Sequence, residues 1–403
     1  MQKHYTFDTH RVCDPKITVK NVLEVLKSSG VWESEHMSIR DIGQLDIFHE
    51  HVYAVGSDVG RRNNWGKWLS KYQALASALM EFCERYSWYK TIDAVNETEL
   101  KTHNQVLWEK VYVEDLILSE KDKEDFIGKD IHDEIQYHWV EWYSLTYNKI
   151  KHIPWYEYEF MTTNCLWAWN TKEEAILHAI YETIERHLYN VMMANFDTPW
   201  LIPIQTISNA HIQKLIQKIQ SYWFEVYILD CSFDFGIHTI WALIYNGRYQ
   251  FVSHYAMNLH MGTHANRDIA IIRALTEVIQ NRATNLDNNK FHINMLKGDD
   301  SLSEKDLSPI TLHYLDMCRR QEMKIIPYIS LENTDNPDIG KEIHTIVTLL
   351  EKKGFEILVI DATQKNINIP CVRVVIPWLQ PMIFELFDDL SSKDIRFSKF
   401  IKR

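Results

Sequence analysis

Apolar residues recur along this 403-residue chain at two different periods. Val19, Val22, Leu23 and Leu26 sit at helical spacing, which predicts an amphipathic helix over 17–30 closed by Gly30. Denser versions of that pattern predict helices over 70–90 and 171–195, and others over 267–285, 304–322 and 338–353. Strand-like runs cover 45–57, 225–232, 238–245, 248–255, 355–361 and 371–377. Asn246-Gly247 lies between two of them and predicts a two-residue hairpin. The charged interval 98–135 reads as a loosely helical surface excursion. Strands and helices intermingle without regular βαβ alternation, so the expected class is α/β of the mixed, α+β kind. No proline-, glycine- or serine-rich linker cuts the chain, which predicts a single body over 1–403.

Composition narrows the function classes. A net charge of −12 and a pI near 5.9 argue against a dedicated nucleic-acid binder. No apolar run reaches the ~18–20 residues of a membrane span. The opening MQKHYTFDTHRVCDP has neither the apolar core nor the cleavage site of a signal peptide. The six cysteines are scattered and never in Cys-x-x-Cys spacing, which argues against a disulfide scaffold or zinc ribbon. The expectation is a reduced, cytoplasmic protein with no membrane and no nucleic-acid partner.

Candidate chemistry begins with an internal echo. The second helix carries Glu81, Glu84 and Arg85 within LMEFCERY. The third carries Glu182, Glu185 and Arg186 within IYETIERH, 101 residues later. A weaker relative, LTEVIQNR, has Glu277, Gln280 and Arg282. Residues three apart share a helix face, so each Glu-x-x-Glu presents paired carboxylates, and Glu174 falls on the stripe of Glu182 and Glu185. Paired carboxylates repel unless a cation lies between them. Mg²⁺ prefers such oxygens and fills its other positions with water and phosphate oxygens. Four acids with arginines beside them therefore suit a Mg²⁺–nucleotide site, although a single Glu-x-x-Glu-Arg is commonplace on a solvated helix.

Other motifs are absent or incomplete. There is no GxGxxG after a strand, and no GxSxG, HExxH or kinase signature. The run Gly60-RRNNW-Gly66-Lys67-Trp68 has one residue too many for a Walker A loop and a Trp in place of its Ser/Thr. The histidine groups His49/His51 and His254/His260/His264 read as strand positions rather than metal ligands.

Six segments, in this order, resemble the YcaO superfamily. They are THRVCDPKITV (9–19), NNWGKW (63–68), ALASALMEFCERYS (74–87), TNCLWAWNTKEEAILHAIYETIERH (163–187), HANRDIAIIRALTEVIQNRATNL (264–286) and NINIPCVRVVIPWL (366–379). The resemblance spans most of the chain. It implies one YcaO-type ATP-binding body with internally related helix–sheet units around a central nucleotide site, to which residues 1–60 contribute. It also implies an ATP- and Mg²⁺-dependent enzyme that activates a backbone amide by phosphorylating its oxygen, for thioamide, azoline or amidine formation. Carried across by position, Glu81, Glu84, Glu182 and Glu185 are the implied Mg²⁺ ligands. Arg11, Thr18, Asn170 and Glu174 are implied nucleotide contacts, the last two to the adenosine part. Arg186 and Arg282 are implied phosphate contacts, with Lys67 and Ser77 as further ATP contacts.

The chain departs from the family pattern at its glycines. The family's asparagine-glycine-x-alanine-x-glycine-asparagine turn reads Asn164-Cys165-Leu166-Trp167-Ala168-Trp169-Asn170, and Trp68 replaces the glycine after Lys67. These changes restrict the backbone. They also place indoles where a purine pocket could be reshaped. The ending DIRFSKFIKR lacks the proline-rich tail of azoline-forming members. That points to the stand-alone, thioamide-forming branch, which acts on a peptide or protein. The implied partners are a TfuA-like sulfur-delivery protein or a leader-peptide-binding protein, and a second copy in a homodimer. Azoline or amidine formation, and a lapsed scaffold that binds a peptide, are the alternatives. No cysteine placement demands a catalytic thiol.

Overall fold

A computed structural model describes residues 1–41, 48–56, 60–111, 135–155, 164–195, 199–246, 257–288 and 309–379. For 40–41, 48–56, 60–63, 193–195, 257, 282–288 and 309–310 only the backbone is described. The described residues form eight α-helices and thirteen strands, and every strand ladder is antiparallel. The mixed α+β class therefore holds. No described helix is long and apolar enough to cross a membrane.

The helices are α1 (Pro15–Ser28), α2 (Val31–Ser34), α3 (Lys71–Asn96), α4 (Lys172–Asn195), α5 (Ala210–Ser221), α6 (Arg267–Asn288), α7 (Pro309–Arg320) and α8 (Ile339–Glu351). β1 (Ser38–Asp41), β2 (Phe48–Gly56) and β3 (Gly60–Trp68) form one sheet in that order. β4 (Lys101–Thr102), β5 (Gln136–Ser144), β12 (Leu358–Asp361), β13 (Cys371–Val375) and β7 (Leu166–Ala168) form a second, with β6 (Lys149–Trp155) also on β5. β11 (Met257–His264), β10 (His238–Tyr245), β9 (Glu225–Asp230) and β8 (Trp200–Ile202) form the third.

All eight residues of β10 are buried, which explains its unbroken apolar run HTIWALIY. One face of that sheet packs Ile228, Ile240 and Ile244 against Ile212 and Ile216 of α5 and Leu275 and Val278 of α6. The other face gives Leu229 and Trp241 to the main core.

The hairpin expected at Asn246-Gly247 falls on 247–256, outside the described residues. Where it is described, β10 bonds to β9 on one edge and to β11 on the other, with Tyr245 opposite Met257. The interval 98–135 is not helical where it is described, forming β4 and a single 3₁₀ turn at His103–Gln105. The segment NNWGKW forms the end of β3.

The internal echo is structural. β3–α3, β7–α4 and β11–α6 are three strand–helix units whose helices begin at Lys71, Lys172 and Arg267. Each helix is capped by the residue before it. Ser70 Oγ accepts from Gln73 N at 3.3 Å, Thr171 Oγ1 from Glu174 N at 3.2 Å, and Asn266 Oδ1 from Ile269 N at 3.3 Å. Each helix packs on its own strand and on the strand of another unit: α3 on β7, α4 on β11, α6 on β3. The three units thus close a ring. In the first and third units close packing needs a glycine on the strand. A Cβ on Gly66 would fall on the Ala74 carbonyl, and one on Gly262 on the Ala270 carbonyl. In the middle unit the corresponding strand position holds Trp167.

Candidate active site

Where the three units meet lies a cavity of about 320 Å³. Lys67 and Trp68 reach it from β3; Ser77, Glu81, Glu84 and Arg85 from α3. Trp167 and Trp169 come from β7 and its exit; Glu182, Glu185 and Arg186 from α4; and Arg273, Glu277 and Gln280 from α6. All four sequence-predicted acids of the metal site therefore face one space, together with Lys67, Ser77 and Arg186.

Charges in the cavity are paired with one exception. Arg85 holds Glu81 at 2.5 Å, Arg186 holds Glu182 at 3.1 Å, and Arg273 lies 3.6 Å from Glu185. Lys67 pairs with Glu277, which lacks the arginine four residues on that Glu81 and Glu182 have. N–H groups complete the carboxylates. Glu81 accepts from the Trp65 amide, Glu182 from the Trp167 indole at 2.7 Å, and Glu185 from the Thr263 amide at 2.8 Å. Glu84 accepts from the Ala168 amide but has no ion pair among the described residues. Burial, then Glu182 and Glu81, push its carboxyl well above the usual range. Burial also raises Glu81. The Lys67 ammonium is lowered to about 7 by burial and by Arg273 and Arg186, against the pull of Glu185 and Glu81.

Arg11, Thr18, Asn170 and Glu174 come together elsewhere. They do not line the cavity. Thr18 Oγ1 donates to Asn170 Oδ1 at 2.9 Å, and Asn170 Nδ2 to Glu174 Oε2 at 3.2 Å. Glu174 also accepts from the Val12 amide at 3.3 Å. It is fully buried, and desolvation raises its carboxyl to about 7 against the pull of Arg11. The expected single stripe of Glu174, Glu182 and Glu185 is thus divided. Eight residues of helix, about 12 Å, separate Glu174 from Glu182. Arg282 stands on α6, but its side chain lies outside the described residues. The helix position matching Arg85 and Arg186 is Asn281, one residue earlier. Among the described side chains, the cation that α6 gives to the cavity is Arg273, which is absent from the residues expected above. Its signal was alignment of the third unit: Arg273 occupies the helix position of Ser77 and His178.

The altered turn is resolved in part. Cys165 adopts φ 62°, the left-handed region that a glycine enters freely. Burial raises the thiols of Cys83 and Cys165, so neither is an activated nucleophile.

Among the described residues no group of three His, Cys, Asp or Glu stands ready to hold a metal. The donor set fits a hard divalent cation in kind and in charge: four carboxylates face one space, and Glu84 has no ion pair among the described residues. Arg85 and Arg186 now occupy Glu81 and Glu182. Polyphosphate also fits, because Lys67, Arg85, Arg186 and Arg273 line the same cavity and the buried Nε of Arg273 has no hydrogen-bond partner among the described residues.

Known proteins share this architecture. An uncharacterised protein of Methanothermobacter thermautotrophicus is 25% identical over 347 residues, 83% of this chain and 85% of its own. A heterocyclase in complex with substrate and cofactor superposes with a TM-score of 0.73 at 21% identity. The match covers 94% of this chain and 53% of the heterocyclase, so the chain spans about half the length of that enzyme. The YcaO of Methanopyrus kandleri bound with AMPPCP and Mg²⁺ superposes with a TM-score of 0.68 at 17% identity, covering 96% of each chain. These two likenesses establish a common fold. A family model described as YcaO cyclodehydratase, ATP- and Mg²⁺-binding, matches residues 65–380, which include β7, α3, α4 and α6 entire; the chain belongs to the YcaO family.

Proposed function

We propose that this chain uses ATP and Mg²⁺ to phosphorylate a backbone amide oxygen of a peptide or protein, and that thioamide formation is the outcome. The observation that carries the reading is the convergence of Glu81, Glu84, Glu182 and Glu185 with four cations on one cavity, in a chain of an ATP- and Mg²⁺-binding family. A nucleophile adds to the amide carbon and the oxygen takes the γ-phosphoryl group, releasing ADP. Inorganic phosphate then leaves, and the carbon keeps the nucleophile. The amide oxygen is a poor leaving group and its phosphate ester a good one.

The four glutamates are assigned to Mg²⁺, which neutralises phosphate charge when bound. Lys67, Arg186 and Arg273 are assigned to the phosphates, with Ser77 beside them. Ion pairing keeps these cations oriented before any ligand arrives, which limits reorganisation on binding. Sulfide, or sulfur from a TfuA-like partner, is the proposed nucleophile. The same site serves azoline or amidine formation with a different nucleophile, and a leader-binding partner or a second copy of the chain would present the peptide.

The scaffold alternative draws on one observation: Arg11, assigned to the nucleotide by resemblance, is sealed inside the protein at 1% exposure. Calorimetric titration with ATP, with and without Mg²⁺, separates the readings. Wild type should bind only with Mg²⁺, and Glu182→Gln combined with Glu185→Gln should weaken binding at least tenfold, about 1.4 kcal/mol. No binding to wild type would favour the scaffold.

A further inference from the structure

The cavity and the Arg11–Glu174 cluster share a wall, and the wall is Trp169. Its indole lines the cavity. The Arg11 guanidinium lies over the ring, 3.9 Å from the centroid, with Trp68 at 5.7 Å. The remaining Arg11 contacts are internal. Nη1 donates to the His10 carbonyl at 3.2 Å and meets His178 Nε2, while Nε and Nη2 reach the Gln73 amide oxygen at 3.2 Å. Trp169 also approaches Glu174, and its own amide is fixed by the Pro370 carbonyl at 3.0 Å.

The two compartments differ in chemistry. The cavity offers carboxylates, Lys67 and arginines, which suit metal and phosphate. The cluster offers a carboxylate, a carboxamide and a hydroxyl, which suit the hydroxyls and amines of a nucleoside. A glycine at 169, as in the family turn, would leave no side chain between them.

We propose that Trp169 is a specificity-determining partition: it admits the Mg²⁺–polyphosphate part of a ligand to the cavity and withholds the Arg11–Thr18–Asn170–Glu174 cluster from the nucleoside part. Affinity then rests on the phosphates, and the identity of the base is not read. The proposal rests on the nucleotide reading of the cavity given above.

Calorimetry with Mg²⁺ and each of ATP, GTP and inorganic triphosphate tests it, on wild type, Trp169→Ala and Trp169→Leu. Wild type should bind the three within about threefold of one another. Trp169→Ala should strengthen ATP about tenfold relative to triphosphate and separate it from GTP, as when a hydrogen-bonding subsite becomes available. Trp169→Leu should shift the same ratio less, and serves if the Ala variant does not fold. A wild type that already prefers ATP over triphosphate tenfold overturns the partition while leaving the nucleotide reading intact, and so does an equal shift of all three ligands in the variants. Failure of all three to bind any of the proteins overturns the nucleotide reading and the partition together.

Discussion

At Glu84, burial and two neighbouring carboxylates act against ionisation and outweigh the Arg85 guanidinium and the Ala168 amide, which favour it. Glu84→Gln should therefore stabilise the Mg²⁺-free protein by about 1 kcal/mol. The same change should abolish the further rise in melting temperature that Mg²⁺ and ATP give wild type. Thermal unfolding with and without the ligands checks both. Glu174 gives a pH signature. Its folded carboxyl titrates near 7, above its ordinary 4.5. The neutral form is the stabilising one, so its contribution is complete below about pH 4.5 and is lost as pH rises through about 7. Wild type should lose up to ~3 kcal/mol relative to Glu174→Gln between those pH values, read from urea unfolding. The acids of the cavity were legible because a repeated Glu-x-x-Glu inside apolar helices demands partners. Arg273 was not, because a lone arginine in a helix has no pattern of its own. The sealing of Arg11 was not legible either, since it depends on Trp169 folding over it from a distant segment.

Each strand–helix unit depends on how closely its two elements approach. Gly66→Ala and Gly262→Ala should each cost about 3 kcal/mol or more, because the new methyl meets helix backbone rather than a movable side chain. The measurement is the urea midpoint, with Gly354→Ala as the comparison for a glycine that has nothing near it. Gly354 has φ 85°, so its replacement reports left-handed strain alone. Helix positions were readable from the 3.6-residue period, and α3, α4 and α6 begin within a residue of their expected starts. The partners of β10 were not legible, because Asn-Gly is a local signal whereas β10 is a central strand bonded by β9 on one edge and β11 on the other.

Across the whole molecule, the three units converge on one cavity, so a ligand there touches all of them. Mg²⁺ and ATP should slow amide exchange in α3, α4 and α6 together. Protection confined to one helix would place the ligand elsewhere. The ring itself was only half legible. The echo announced related units, but nothing local says that α3 leans on β7, α4 on β11 and α6 on β3. That arrangement governs how the chain is made. Synthesis delivers β3 and α3 first, yet the surface of β3 that α6 covers stays bare until residues beyond 267 have left the ribosome. A nascent chain stalled after α4 would hold the two helices that carry all four glutamates and an open flank, with no third unit to close them. Such a chain is a client for chaperones rather than a partial enzyme.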